Sequence, residues 1–167
     1  MSIDKLVKDI NSYLKSEFKD LKPTFEKINM KKVIEFGLKK YSLDIEQKKV
    51  DLRLELEDLE IKTDVKIFNI ILNNLLTNAL TYMNDEKKLG IYLRDNSLVI
   101  ENSTDTISDE VIEKIFNPFY KIDSSRNRKY GGTGLGLSIV KNLLEALNLK
   151  YSFTYDKDRK FVKFTII

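Results

Sequence analysis

Four of the six glycines in this 167-residue chain fall between positions 131 and 136, in the run Gly131-Gly132-Thr133-Gly134-Leu135-Gly136-Leu137. Directly after them, Leu137, Ile139, Val140, Leu143, Leu144 and Leu147 recur at helical spacing, so the cluster opens an amphipathic helix. A glycine-rich turn that feeds a helix start presents free backbone N–H groups and the positive end of the helix dipole at one place, which suits a phosphate. The alternative is a flexible hinge at a helix cap. Two common phosphate motifs are excluded by spacing. No register supplies glycines at i, i+2 and i+5, as a dinucleotide fingerprint requires, and Gly136 is followed by Leu137 rather than by the Lys-Ser/Thr of a Walker loop.

The chain has no histidine and no cysteine. Ser-His and Cys-His catalysis, imidazole and thiolate metal sites, and a disulfide frame are therefore all excluded. Chemistry here has to rely on carboxylates, amides, lysine, arginine or a metal held by oxygen. With 29 basic and 26 acidic residues the net charge is +3, too balanced to imply nucleic acid as a partner. No apolar run approaches the ~18 residues of a membrane span, and Met1-Ser2-Ile3-Asp4-Lys5 does not read as a signal peptide. The length fits one domain with a real core, plus an appendage.

Leu6, Val7, Ile10, Leu14 and Phe18 form one stripe, predicting a helix over 4–18 that packs on its own domain or on a neighbouring module. A break at Lys22-Pro23-Thr24 follows, then a second helix over 29–43. Val50, Leu52, Leu54 and Leu56 alternate with charged residues, a half-buried strand that 58–62 extends briefly. Thr63 or Asp64 caps a strongly apolar helix over 65–83. That helix carries Asn69, Asn73, Asn74 and Asn78, poor helix formers. Asn74, Asn78 and Thr81 fall on one stripe with Tyr82 at its edge, so they outline a polar pocket whose amide oxygens suit Mg²⁺; an ordinary surface face is the plainer alternative. Strands over 89–94 and 98–101, joined at Asp95-Asn96-Ser97, lead to a polar loop over 102–108 and a short helix over 109–116. A basic connector over 119–130 precedes the glycine run, and 150–155 and 161–167 close the chain as a hairpin. Interspersed helices and hairpin-linked strands predict an α/β two-layer sandwich, a mixed sheet with helices packed on one face.

Three stretches stand in order: Asn74 to Tyr82, Ile115-Phe116-Asn117-Pro118-Phe119-Tyr120, and Gly131 to Leu137. Together they resemble the asparagine box, phenylalanine box and second glycine box of the ATP-binding catalytic domain of bacterial two-component sensor histidine kinases, in the GHKL superfamily. The resemblance covers about residues 29–167 and implies the Bergerat fold. Residues 1–28 then become the tail of a dimerisation and phosphoacceptor helix with its linker. By this resemblance Asn78 is the Mg²⁺ ligand and Asn74 lies beside it, both counted as catalytic. Tyr82 lies against the base or sugar. Gly132, Thr133, Gly134, Leu135 and Gly136 wrap the phosphates. Residues 117–133 form the ATP lid, anchored by Phe116 and Phe119, with Lys121, Arg126, Arg128 and Lys129 placed to meet triphosphate charge.

The family's first glycine box, Asp-x-Gly-x-Gly-Ile, aligns on Ile107 as Asn102-Ser103-Thr104-Asp105-Thr106-Ile107. Asn102 keeps a carbonyl acceptor for the adenine amino group but not the charge. Thr104 and Thr106 stand in place of glycines, and Thr81 in place of a frequent lysine. Gyrase-like and chaperone-like relatives carry an acidic base on the asparagine helix, whereas this helix has Ile70, Ile71, Asn74 and Leu75 at the neighbouring positions. The resemblance thus implies a protein-histidine kinase fragment that binds Mg-ATP and phosphorylates a histidine on an upstream domain, for relay to a response regulator. The alternative is a pseudokinase module acting by interaction. The expected setting is the cytoplasmic portion of a membrane-anchored kinase, with no nucleic acid and no membrane contact by this fragment.

Overall fold

The computed structural model of the chain describes residues 21–117 and 136–167. The helix expected over 4–18, and the connector and glycines from 118 to 135, lie outside them. In order the elements are β1 (Glu26–Asn29), α1 (Met30–Lys39), α2 (Ser42–Gln47), β2 (Asp51–Leu56), β3 (Glu60–Thr63), α3 (Val65–Tyr82), β4 (Lys88–Arg94), β5 (Ser97–Ser103), α4 (Asp109–Lys114), α5 (Gly136–Ala146), β6 (Tyr151–Asp156) and β7 (Phe161–Ile166).

The main sheet has the order β2-β4-β5-β7-β6. β2 runs parallel to β4 and the other pairs are antiparallel, so the mixed sheet expected from the sequence is present. Register converts the period-two patterns into three rows across its inner face. They are Leu52-Leu89-Asn102-Val162-Tyr155, Leu54-Ile91-Ile100-Phe164-Phe153, and Leu56-Leu93-Leu98-Ile166-Tyr151. Leu89, Ile91, Leu93, Leu98 and Ile100 join one core cluster with Ile34 of α1, Ile71, Leu75 and Leu76 of α3, and Val140 and Leu144 of α5. The opposite face carries Arg53, Glu55, Lys88, Tyr92, Arg94 and Lys163 at the alternate positions. Helices therefore cover one face only, the two-layer sandwich predicted.

The boundaries differ from expectation where tertiary pairing decides them. Residues 58–62 do not continue β2; Glu60–Thr63 instead pairs antiparallel with Glu26–Asn29 in a separate two-stranded sheet. Glu26–Asn29 has too few apolar residues to announce a strand. The helix expected over 29–43 stops at Lys39 and restarts at Ser42. β5 runs on to Ser103, which draws Asn102 out of the expected loop and into the sheet. Asp95 and Asn96 both have φ above 50°, the two-residue I′ geometry that a hairpin of right-handed twist requires.

Asp64 caps α3. Its Oδ1 accepts from the N–H groups of Lys66 and Ile67, and its Oδ2 from the N–H of Thr24 at 2.8 Å. These backbone donors, Thr24 foremost, hold the Asp64 carboxyl below the ordinary aspartate range. A group depressed in the folded state stabilises fully above its unfolded pKa and ceases to do so as pH falls through the folded one. Asp64→Ala should therefore cost about 1 kcal/mol near neutral pH. The gap between wild type and variant should shrink below about pH 4, as urea unfolding at stepped pH would record.

Candidate functional site

Helix α3 positions the site because it has to satisfy two demands at once. Ile67, Phe68, Ile71, Leu72, Leu75, Leu76, Ala79 and Leu80 are all buried, so most of its circumference is committed to the core. Asn74, Asn78 and Tyr82, one turn apart along the helix, occupy a half-buried strip. The Nδ2 of Asn74 donates to the Ile70 carbonyl at 2.8 Å within the helix, which leaves its Oδ1 as an acceptor. Among the described residues the Asn78 amide has no hydrogen-bond partner. The other two asparagines do not join the strip. Asn73 Oδ1 accepts from the Tyr41 hydroxyl and from Lys40 Nζ of the α1 region, and Asn69 is exposed.

Two ends of the strip are marked by other motifs. At the Asn74 end, α5 begins at Gly136, the last glycine of the cluster. A methyl group placed on Gly136 would stand 3.3 Å from Asn74 Oδ1, a tight contact, so this helix start lies close against the asparagine strip. At the Tyr82 end lies the close of β5. Asn102 is 5% exposed on the inner face, the one amide in the three apolar rows. Its Nδ2 donates to the Ser103 carbonyl at 3.0 Å, which leaves Oδ1 as the acceptor. Ile107 is also buried. From Asn74 to Tyr82 is about 12 Å along the helix axis. The structure thus unites Asn74 with Gly136 and sets Tyr82 and Asn102 toward the other end, where Thr104 links the close of β5 to Tyr82. Phe119, Lys121, Arg126, Arg128, Lys129, Gly132, Thr133, Gly134 and Leu135 lie outside the described residues. Phe116, expected to anchor the connector, packs edge-on against Tyr151, Phe153 and Phe164 with centroids 5.8–6.1 Å apart.

Thr104, which the sequence marks only as a departure, and Thr81, which it places on the pocket stripe, both have structural roles instead. Thr81 is buried and its hydroxyl donates to the Thr77 carbonyl at 2.7 Å. Thr104 is 4% exposed. Its Oγ1 donates to the Tyr82 carbonyl at 3.1 Å, its carbonyl accepts from Asn84 Nδ2 at 2.9 Å, and its N–H donates to the Lys160 carbonyl at 2.9 Å. A residue that reads as an awkward substitute for glycine is therefore a staple between the end of α3, β5 and the β6–β7 turn. Hydrogen bonds between residues distant in sequence give Thr104 and Asn84 these roles, and no periodicity in the sequence signals them. Thr104→Val, which preserves volume and removes the hydroxyl, should cost about 1–2 kcal/mol. Urea denaturation would measure the loss directly.

The family model described as histidine kinase-, DNA gyrase B- and HSP90-like ATPase matches residues 63–166. The sensor histidine kinase ArsS of Helicobacter pylori is 33% identical over 141 residues, 84% of this chain and 31% of that protein. The probable sensor kinase SilS of Salmonella typhimurium is 39% identical over 90 residues, 52% of this chain and 18% of that protein. The chain thus spans less than a third of the length of either relative. The nucleotide-free catalytic domain of the histidine kinase ThkA superposes with a TM-score of 0.74 at 27% identity, covering 86% of this chain and 93% of that one. ThkA in complex with the response regulator protein TrrA matches with a TM-score of 0.72 at 23% identity, covering 98% of this chain and 46% of that one. With its mixed sheet, one-sided helices and family match over most of its length, this chain belongs to the histidine kinase-, DNA gyrase B- and HSP90-like ATPase family.

Proposed function

We propose that residues 29–167 form the ATP-binding kinase domain of a sensor histidine kinase. It binds Mg-ATP and transfers the γ-phosphoryl group to a histidine on a dimerisation domain, for relay to a response regulator. Residues 1–28 are the tail of that dimerisation helix and its linker, whose last residues join the domain through the β1–β3 pair, and the whole protein is membrane-anchored with this part on the cytoplasmic side. The observation that carries the proposal is the approach of Gly136, at the start of α5, to Oδ1 of Asn74 on α3. It brings a helix start, with its free backbone N–H groups, to an amide strip, the two kinds of group that a metal-bound triphosphate needs. Among the described residues no helix is long and apolar enough to cross a membrane.

The donor set fits magnesium. Mg²⁺ is ordinarily held by one or two protein oxygens together with substrate phosphates and water. Asn78 offers such an oxygen, and no group of three or more Asp, Glu, His or Cys that could cage a metal occurs among the described residues. Asn78 would hold the metal with Asn74 beside it, and the ion when bound neutralises charge on the phosphoryl oxygens. The chain's own groups position the nucleotide. The N–H groups at the start of α5 face the phosphates. Asn102 Oδ1 accepts from the base amino group, Ile107 and Tyr82 lie against the base or sugar, and Phe119 steadies the lid. Lys121, Arg126, Arg128 and Lys129 contribute cations, and Gly132, Thr133, Gly134 and Leu135 contribute backbone donors. Catalysis is then positioning and charge neutralisation rather than covalent chemistry.

Calorimetric titration with ADP and Mg²⁺ should show saturable binding that weakens on chelation and falls about 10-fold or more in Asn78→Ala. No binding by the wild type at millimolar nucleotide would end the proposal. With no histidine in its sequence, this chain alone should gain no phosphohistidine from labelled ATP. A supplied dimerisation domain bearing the acceptor histidine should become labelled, and label on a serine instead would reassign the activity.

A further inference from the structure

The face of the sheet opposite the helices carries an ion pair that the function above does not use. Glu101 lies on β5 with its side chain 6% exposed, and a carboxylate so far removed from water needs partners. It has two. Its Oε1 accepts from the Tyr92 hydroxyl at 3.2 Å and from Arg159 Nη2 at 3.2 Å. The first contact depends on Gly90, which is directly opposite Glu101 in the β4–β5 register. A Cβ on Gly90 would fall within 2.6–2.9 Å of the Tyr92 ring, so the missing side chain gives that ring room to lie across toward Glu101. The second contact comes from the β6–β7 turn, where the Arg159 guanidinium also lies over the Phe161 ring at 4.4 Å.

That turn is the one whose Lys160 carbonyl accepts from the Thr104 N–H. Thr104 directly follows β5, two residues beyond Asn102, and its hydroxyl reaches the Tyr82 carbonyl. Lys160 has φ 55° and Asp156 Oδ1 accepts from the N–H groups of Asp158 and Arg159, so the turn is ordered within itself. Among the described residues, the side-chain bonds that tie it to the sheet's interior strands run from Arg159 to Glu101. Glu101 and Asn102 point to opposite faces of β5, so Arg159 cannot touch a nucleotide at Asn102. Its influence has to pass through the backbone.

We propose that Arg159 is a positioning residue for the base end of the nucleotide site. Paired with the buried Glu101, it fixes the β6–β7 turn, which holds Thr104 and through it the segment from Asn102 to Ile107. The inference rests on the nucleotide reading of that segment, but its first link is independent of any ligand. In Arg159→Ala, amide exchange at Thr104 should accelerate about fivefold while the core amides of β4 keep their protection. Calorimetry should show Mg-ADP bound about fivefold more weakly and Mg-tripolyphosphate, which lacks the base, changed by less than about twofold. Glu101→Gln, which keeps the shape and removes the charge, should move both readings in the same direction. Unchanged Thr104 exchange in both variants, or an equal loss of ADP and tripolyphosphate affinity, would overturn the proposal. If the wild type binds no ADP, the nucleotide reading fails and the base-end role with it, whereas altered exchange with unaltered ADP binding would sink the role alone.

Discussion

The fold depends on burying α3. Eight of its apolar side chains, from Ile67 to Leu80, are removed from water, and each of the seven larger than alanine contributes about 1.5–3 kcal/mol. One face of a sheet cannot enclose a helix so apolar. The inner rows of β4 and β5 cover one side, while α1 and α5 flank it through Ile34, Leu38, Val140 and Leu144. This arrangement explains why the helices lie on a single face. The other face is free to be polar, and Arg53, Glu55 and Arg94 form exposed ion pairs there that contribute little to stability.

The site follows from the same constraint. A helix enclosed by a sheet and two helices has a narrow strip left over, and here the strip carries Asn74, Asn78 and Tyr82. The neighbours that border it are an element start and an element end. Gly136 begins α5 beside Asn74, and β5 closes near Tyr82 through Thr104. Backbone donors and acceptors are available at such termini because the regular ladders stop there. A polar ligand can therefore meet this core at its rim without leaving buried groups unpaired. The buried amide of Asn102 obeys the same accounting, with its Nδ2 satisfied by the neighbouring Ser103 carbonyl.

Much of this was legible along the chain. The period-two runs located β2, β4, β5 and the terminal hairpin, and the 3.6 period located α3 and α5, because each element presents one apolar face and the two periods differ sharply. Thr63 or Asp64 announced the start of α3, which Asp64 caps, and Asp95-Asn96-Ser97 the turn between β4 and β5. Where elements are short or half-solvated the pattern carried less. Glu26–Asn29 becomes a strand only because Glu60–Thr63 lies alongside it. Residues 29–43 carry an apolar face throughout, yet the helix breaks after Lys39 and α2 begins at Ser42. Leu54 fits the alternation but is 43% exposed, since β2 is an edge strand.

The candidate site divides along the same line. Sequence alone determined which side chains could serve: without histidine or cysteine the chemistry falls to amides, hydroxyls, cations and backbone, and the motif order indicated which of these belong together. It also determined that Asn74 and Asn78 share one helix face, because a helix has a fixed pitch. Tertiary structure decided that Asn73, adjacent in sequence, is bound to Tyr41 and Lys40 instead. It placed Asn102 inside the sheet rather than in a loop, and it turned Thr104 from a misfit into a staple. Those outcomes depend on contacts between residues 20 to 60 positions apart, such as Thr104 with Tyr82 and Lys160 or Glu101 with Arg159. Local periodicity constrains which face a side chain occupies, whereas only the packed chain determines what that face meets.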